Sequence, residues 1–150
     1  MRDLSSAFRI AAARGALDAG VWAVAAALCA AGAGWWVASG WPPAATVRVL
    51  LAVVSTGSGI AALWYAIRIG IDRRLFAALA EQTAVPDADL DAILSGLDHA
   101  MLELGWIAPA KAGRLLGERV QGAVGLLRAS VVVAGIQWLA VGVALVAKGF

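Results

Sequence analysis

The stretch at residues 49–67, VLLAVVSTGSGIAALWYAI, constrains this chain more than any other because Arg48 and Arg68 bracket it. About 19 uncharged residues lie between those arginines, and as a helix rising about 1.5 Å per residue they would span roughly 28 Å. The hydrocarbon core of a bilayer is about 30 Å thick. A basic side chain is costly at the bilayer centre but reaches the headgroups from a helix end. Arg128 and Lys148 bracket a second apolar stretch of similar length, residues 129–147. Such a chain is expected to be all-α and polytopic, with membrane lipid as its first partner.

Composition agrees. The chain of 150 residues is 62% hydrophobic, and its mean hydropathy is +0.83. Soluble domains carry about 45–50% apolar residues. The apolar runs are continuous and do not alternate, which favours helices over a barrel. A formal charge of +2, divided along the chain, points away from nucleic acid as a partner. Cys29 is the single cysteine and excludes an intrachain disulfide. Within its apolar run it is expected to be a small buried hydrophobe. Leu28 before it is too large for a lipoprotein signal, and a long charged segment ahead of a tryptophan-bearing run argues against a cleaved leader.

Residues 1–18 are expected to form a short interfacial helix, with Leu4, Phe8, Ala11, Ala12 and Gly15 on one side and Arg2 and Arg9 opposite. Ile10 and Leu17 interrupt that stripe. The first span is expected at about residues 19–39. Trp22 anchors one interface and Trp35, Trp36 and Trp41 the other, since indoles favour the headgroup level. Gly40, Pro42 and Pro43 stop the helix. The second span, at about residues 49–67, completes a transmembrane hairpin over 19–71.

Beyond Arg68 the helical pattern continues to about Thr83, with Asp72 one turn on as a possible partner of Arg68, and Pro86 breaks it. Residues 72–128 are expected to be a cytoplasmic helical hairpin preceding the third span at 129–147. Its first helix carries Leu90, Ile93, Leu94, Leu97, Met101 and Leu104 at helical spacing. Asp87 or Asp89 supplies the N-cap, and Gly105 the stop. Its second helix begins after Pro109, carries Leu115, Leu116, Val120, Val124 and Leu127 along one side, and runs into the third span. Residues 81–103 hold six acidic side chains and no lysine or arginine, whereas 111–128 is basic. The two helices are therefore expected to pack leucine to leucine and attract across the join. In the alternative, the basic helix lies on anionic lipid and the acidic one meets a partner.

Charge also sets the orientation. Arg2, Arg9 and Arg14 precede the first span. Arg68, Arg73, Arg74, Lys111, Arg114, Arg119 and Arg128 lie between spans two and three, and only Arg48 and Lys148 remain for the other side. The positive-inside bias gives a cytoplasmic N-terminus and an outer C-terminus, and the Ala-, Gly- and Arg-rich usage points to a bacterial inner membrane. Arg68, Arg73, Arg74 and Arg128 are the expected basic anchors at the inner interface.

Inside the spans, Ser55, Gly59, Ala62 and Ala66 share a face with Ser58 beside it, which suits close helix packing. Gln137 sits mid-span, where an unpaired amide in lipid costs several kcal/mol. It is expected to bond across to the Ser55–Ser58 level. Trp138 is expected to face protein, because its indole N–H prefers an acceptor at that depth.

Little in the sequence carries chemistry. Asp87, Asp89, Asp91 and Asp98 imitate a calcium loop, but Ala92 stands where the sharp turn needs glycine. His99 and Glu103 lie one turn apart without a further ligand nearby. No nucleophile elbow or phosphate loop occurs. No metal, cofactor or catalytic residue is therefore expected. The expected function is a non-enzymatic accessory or scaffold subunit. It would pack through its small-residue faces against other membrane subunits or copies of itself. Leu90, Ile93, Leu97, Met101 and Leu104 would form a face for partners or for the hairpin, with Asp98 and Glu103 tuning the choice. A homo-oligomeric pore or holin-like protein is the alternative. It is weakened because polarity occupies one layer and does not line the membrane depth. A membrane enzyme or transporter ranks third, since no ionisable group lies within a span.

Overall fold

The computed structural model describes residues 4–40, 45–85 and 89–147. It is all-helical: α1 (Leu4–Gly40), α2 (Ala45–Thr83), α3 (Leu90–Glu103), a 3-10 turn (Pro109–Lys111) and α4 (Leu116–Ala147). Three of these, α1, α2 and α4, are long and apolar enough to cross a membrane. The chain therefore reads as a membrane protein. Trp41, Pro42, Pro43, Pro86, Asp87 and Lys148 lie outside the described residues.

Helix α1 lies alongside both α2 and α4. A buried stripe runs through Ile10, Ala13, Leu17, Gly20, Val24, Ala27, Ala31, Gly34 and Ala38, at steps that alternate between three and four, with Ala30 and Val37 buried beside it. Ser55, Ala62, Ile69 and Phe76 of α2 recur every seventh residue, as do Leu116, Ala123, Ser130, Gln137 and Ala144 of α4. This 3.5-residue period is that of left-handed supercoiled helices.

The buried residues change in size along the bundle. At one end Ile10, Leu17, Ile69, Phe76, Leu79, Leu94 and Leu116 form a core of large side chains. Midway the core is Ala27, Ala62 and Ala134. At the far end Val37, Ala38, Leu51 and Ala144 meet. Helices of 37, 39 and 32 residues are roughly 55, 58 and 48 Å long. Each therefore exceeds a bilayer core of about 30 Å. The large-residue core lies at the end that carries most of the arginines, called here the basic end.

One expectation needs correction. Residues 4–18 do not form a separate interfacial helix, because α1 runs unbroken from Leu4 to Gly40. Phe8, Ala11, Ala12 and Gly15 are the exposed side, and Ile10 and Leu17, which seemed to interrupt the stripe, are buried. The reason is continuity. The heptad that packs in the apolar region extends back through Leu17 and Ile10, so α2 and α4 decide which side is interior.

Helix ends are closed locally. Arg48 Nε donates to the Ala38 carbonyl at 3.1 Å, occupying a carbonyl that the last turn of α1 leaves without a partner. Asp89 caps α3, accepting from the N–H groups of Asp91 and Ala92 at 3.0 and 3.4 Å. Gly105 ends that helix with φ 67°. Its N–H bonds the Leu102 carbonyl and that of Trp106 the Met101 carbonyl, the paired closure that a left-handed glycine permits. Helix α4 begins later than its pattern suggests. Gly113, with φ 74°, turns the chain before it, which leaves Leu115 exposed and outside the expected stripe.

Truncation separates the two sides of α1. Leu17→Ala empties a fully buried site and should cost about 2–5 kcal/mol. Phe8→Ala, 72% exposed, should change stability by no more than about 0.5 kcal/mol. Denaturant unfolding in detergent micelles reads both.

Candidate functional site

Three places concentrate polar groups. The first is a layer at mid-bundle that joins all three long helices. Gln137 of α4 is fully buried. Its Nε2 donates to Ser55 Oγ at 2.9 Å and to the Ala30 carbonyl of α1 at 3.3 Å. Its Oε1 accepts from Ser58 Oγ at 2.6 Å. One side chain thus reaches α1 and α2 with both ends of its amide, as its depth demands. Gly34 makes room for it: a Cβ there would meet Ser55 Oγ, and would lie 2.9 Å from Gln137 Nε2. Ala62 is buried one level away, and Gly59 lies against Ala31, where a Cβ would sit 3.6 Å away. Among the described residues no buried side-chain polar atom lacks a partner.

Trp138 is the exception to the expected packing set. It is 50% exposed and faces outward. Gln137 holds the interior heptad position, and the next residue is turned about 100° from it, so the two cannot both point inward. Cys29 is likewise exposed, not buried.

The second place is the joint between α3 and α4. Asp98 is 5% exposed. Its Oδ1 accepts from Arg119 at 2.5 Å and its Oδ2 from the Gly113 N–H at 2.8 Å. Burial alone would raise its pKa, but the Arg119 guanidinium and the Gly113 N–H outweigh it and hold the carboxyl below its ordinary range. Beside this ion pair Leu94 is buried in the basic-end core, with Leu90, Ile93 and Leu97 packed against it, and Met101 is buried as well. Of the two occupants expected for this face, the chain's own helices take part of it: Met101 is buried, Leu90, Ile93 and Leu97 are half-buried, and Asp98 is bonded to Arg119. Only Leu104, at 62% exposure, and Glu103 remain outward, the latter 3.2 Å from His99. Among the described residues no group of three acidic, histidine or cysteine side chains could hold a metal.

The third place was not legible as a motif. A cleft of about 410 Å³ opens between α2, α3 and α4 at the basic end. Phe76, Leu79, Leu97, Met101, Ala123 and Leu126 are apolar walls, Trp64 also lines it, and Arg68, Asp72, Arg114, Glu118 and Arg119 add charge. Arg68 and Asp72 are 4.0 Å apart. The remaining expected anchors Trp22, Trp35, Trp36, Arg73, Arg74 and Arg128 are exposed. Arg73 also bridges α2 to Asp18 of α1 at 2.6 Å.

Two predictions follow from the layer and the joint. Gln137→Leu should weaken helix association by roughly 1 kcal/mol, the loss being limited because Ser58 Oγ already lies 3.2 Å from the Ser55 carbonyl on its own helix. Gly34→Val, which overfills the same level, should cost about 1–3 kcal/mol, whereas Gly32→Ala enters open space and should be neutral. Detergent-resistant thermal unfolding distinguishes them. For the joint, a carboxyl with a lowered folded pKa stabilises fully above its unfolded value of about 3.9 and ceases to as pH falls through the folded value. Amide exchange over 90–103 should therefore accelerate below about pH 4 in the native protein. In Asp98→Asn it should already be fast at neutral pH and lose that acid step.

No protein-family model matches this chain, and neither a curated protein nor a solved structure matches it, so its function has to be argued from its own residues.

Proposed function

We propose that the protein is a non-enzymatic accessory or scaffold subunit of a bacterial inner membrane. In this reading its N-terminus and the basic end lie in the cytoplasm, and its C-terminus lies outside. The observation that carries the reading is how the mid-bundle polarity is used. Gln137, Ser55 and Ser58 bond to one another and to Ala30, which leaves no polar group of that layer to line a path for solute. A conducting pore needs polar or charged groups through its depth.

What remains outward is apolar along the spans: Val53, Ile60, Leu63, Val132, Ile136, Trp138 and Leu139 are all exposed. Such a surface suits lipid or another span. Beyond the spans, Leu104, Trp106 and Leu115 are more than half exposed around the loop between α3 and α4. They support partner docking through this loop, in place of the leucine face of α3. The excess of basic residues in the sequence before the first span and between the second and third supports the orientation.

In mild detergent the purified protein should be a monomer or dimer that leaves liposomes tight, and from native membranes it should co-purify with another membrane protein. A discrete larger homo-oligomer that leaks liposome contents would replace this reading with a pore. Tags placed before Met1 and after Phe150 should report opposite compartments.

A further inference from the structure

Away from the basic end, α1 and α2 carry a groove that the scaffold reading does not use. Arg48 and Ala38 stand side by side there, joined by the Nε hydrogen bond. With them Trp35, Ser39, Val49 and Ala52 line a hollow of about 440 Å³. Trp35, Val49 and Ala52 also line a second hollow of about 400 Å³, which continues past Val53 and Gly57 to Ile60. The two are therefore one groove with Arg48 at its head. The 12 positions from Arg48 to Ile60 correspond to roughly 18 Å along the helix. The groove thus starts at the boundary of the second span and ends near its middle, within a bilayer core about 30 Å thick.

Its chemistry has one charged group. Thr56, in the lower half, turns its hydroxyl back to the Ala52 carbonyl at 2.8 Å. Ser39 likewise donates to the Trp36 carbonyl at 2.9 Å. Polar recognition is left to Arg48. Its Nε is used on Ala38, and among the described residues its Nη groups make neither a hydrogen bond nor an ion pair. The sequence holds no Asp or Glu between Asp18 and Asp72 or after Glu118, so no acidic side chain of the described helices stands at this end.

We propose that this groove holds an anionic phospholipid from the leaflet at Arg48, the outer one in the orientation given above. Its phosphate lies on the Arg48 guanidinium, which matches phosphate oxygens in charge and fork geometry. One acyl chain runs down from Val49 past Ala52 and Trp35 to Ile60. Depth favours a lipid over a second copy of the chain, because a packed span would cross the whole membrane and the groove stops halfway. Charge favours an anionic headgroup, because a zwitterionic one brings an ammonium for which this end has no carboxylate. The inference needs the long helices to lie in a bilayer and is independent of whether the protein is a scaffold or a pore.

The test is titration of the delipidated, intact protein in mild detergent, read by native mass spectrometry and thermal shift. The probes are phosphatidylglycerol, phosphatidylcholine and water-soluble glycerol 3-phosphate. Phosphatidylglycerol should bind saturably and about five-fold more tightly than phosphatidylcholine, the worth of one basic side chain facing anionic lipid. Glycerol 3-phosphate, which lacks the chain, should bind far more weakly. In Arg48→Gln the preference between the two lipids should vanish. Gly57→Leu, which meets nothing in its own chain, should fill the groove and weaken both lipids, whereas Gly135→Leu, equally open on α4, should not. In the native protein, phosphatidylglycerol with a photoactivatable acyl chain should label α2 within residues 49–60. Equal binding of the two lipids, a preference that survives Arg48→Gln, or labelling confined to other segments would overturn the assignment. A dimer that Gly57→Leu dissociates without changing lipid binding would give the groove to a second copy instead.

Discussion

A bundle that lies partly in lipid has a hydrophobic driving force only where it leaves the lipid, because the acyl chains are as apolar as leucine. The distribution of core residues follows this division. Leu17, Ile69, Phe76, Leu79 and Leu94 pack at the projecting basic end, where water makes burying a large side chain worth roughly 1.5–3 kcal/mol. In the apolar middle that gain disappears. There Ala27, Ala62 and Ala134 let the helices approach, and the amide of Gln137 supplies the directed attraction. The two regions solve different problems with one heptad register, since Ile69 and Ala62, or Ala123 and Gln137, occupy the same repeating positions.

Helix α3 completes the watery end. With 14 residues it is about 21 Å long, too short and too acidic to cross a membrane, yet its leucine face would be costly in water. Laid on the ends of the long helices, that face closes the core around Phe76 and Leu79. The Asp98–Arg119 pair then fixes its rotation. A buried pair of this kind contributes little net stability, because desolvation offsets much of its attraction. Its value is directional: any other rotation of α3 would separate Asp98 from Arg119 and from the Gly113 N–H.

Much of this was visible in the residues. The apolar lengths, with basic residues bracketing two of them and tryptophans at the ends of the first, marked three spans, and the depth of Gln137 against Ser55 and Ser58 marked the polar layer. Asp89 and Gly105 marked the ends of α3 by the chemistry of caps. What escaped has physical reasons. The interior side of α1 before residue 18 was misread because Ile10, Ala13 and Leu17 compete with a second apolar stripe through Leu4 and Phe8, and only the neighbouring helices decide between the two. Trp138 escaped because a rule about indole depth cannot outweigh a heptad that gives the interior to its neighbour. The leucine face of α3 was correctly seen as a packing face. Whether its occupant is a partner or the chain itself depends on where a loop of a dozen residues returns, which periodicity does not encode.

The cleft is a consequence of that loop. Gly105 ends α3 sharply, and Gly113 delays the start of α4, so α3 covers the core from one side and cannot also fill the angle between α2 and α4. A soluble protein would close such a gap or fill it with water. Here the gap lies where apolar walls meet Arg68 and Arg114 and where the bundle passes from lipid to water. At that depth the medium itself is amphiphilic, with charge above and hydrocarbon below. Apolar walls and charged side chains alternate along the groove, so the architecture that shields α3 also leaves an open cleft between α2 and α4.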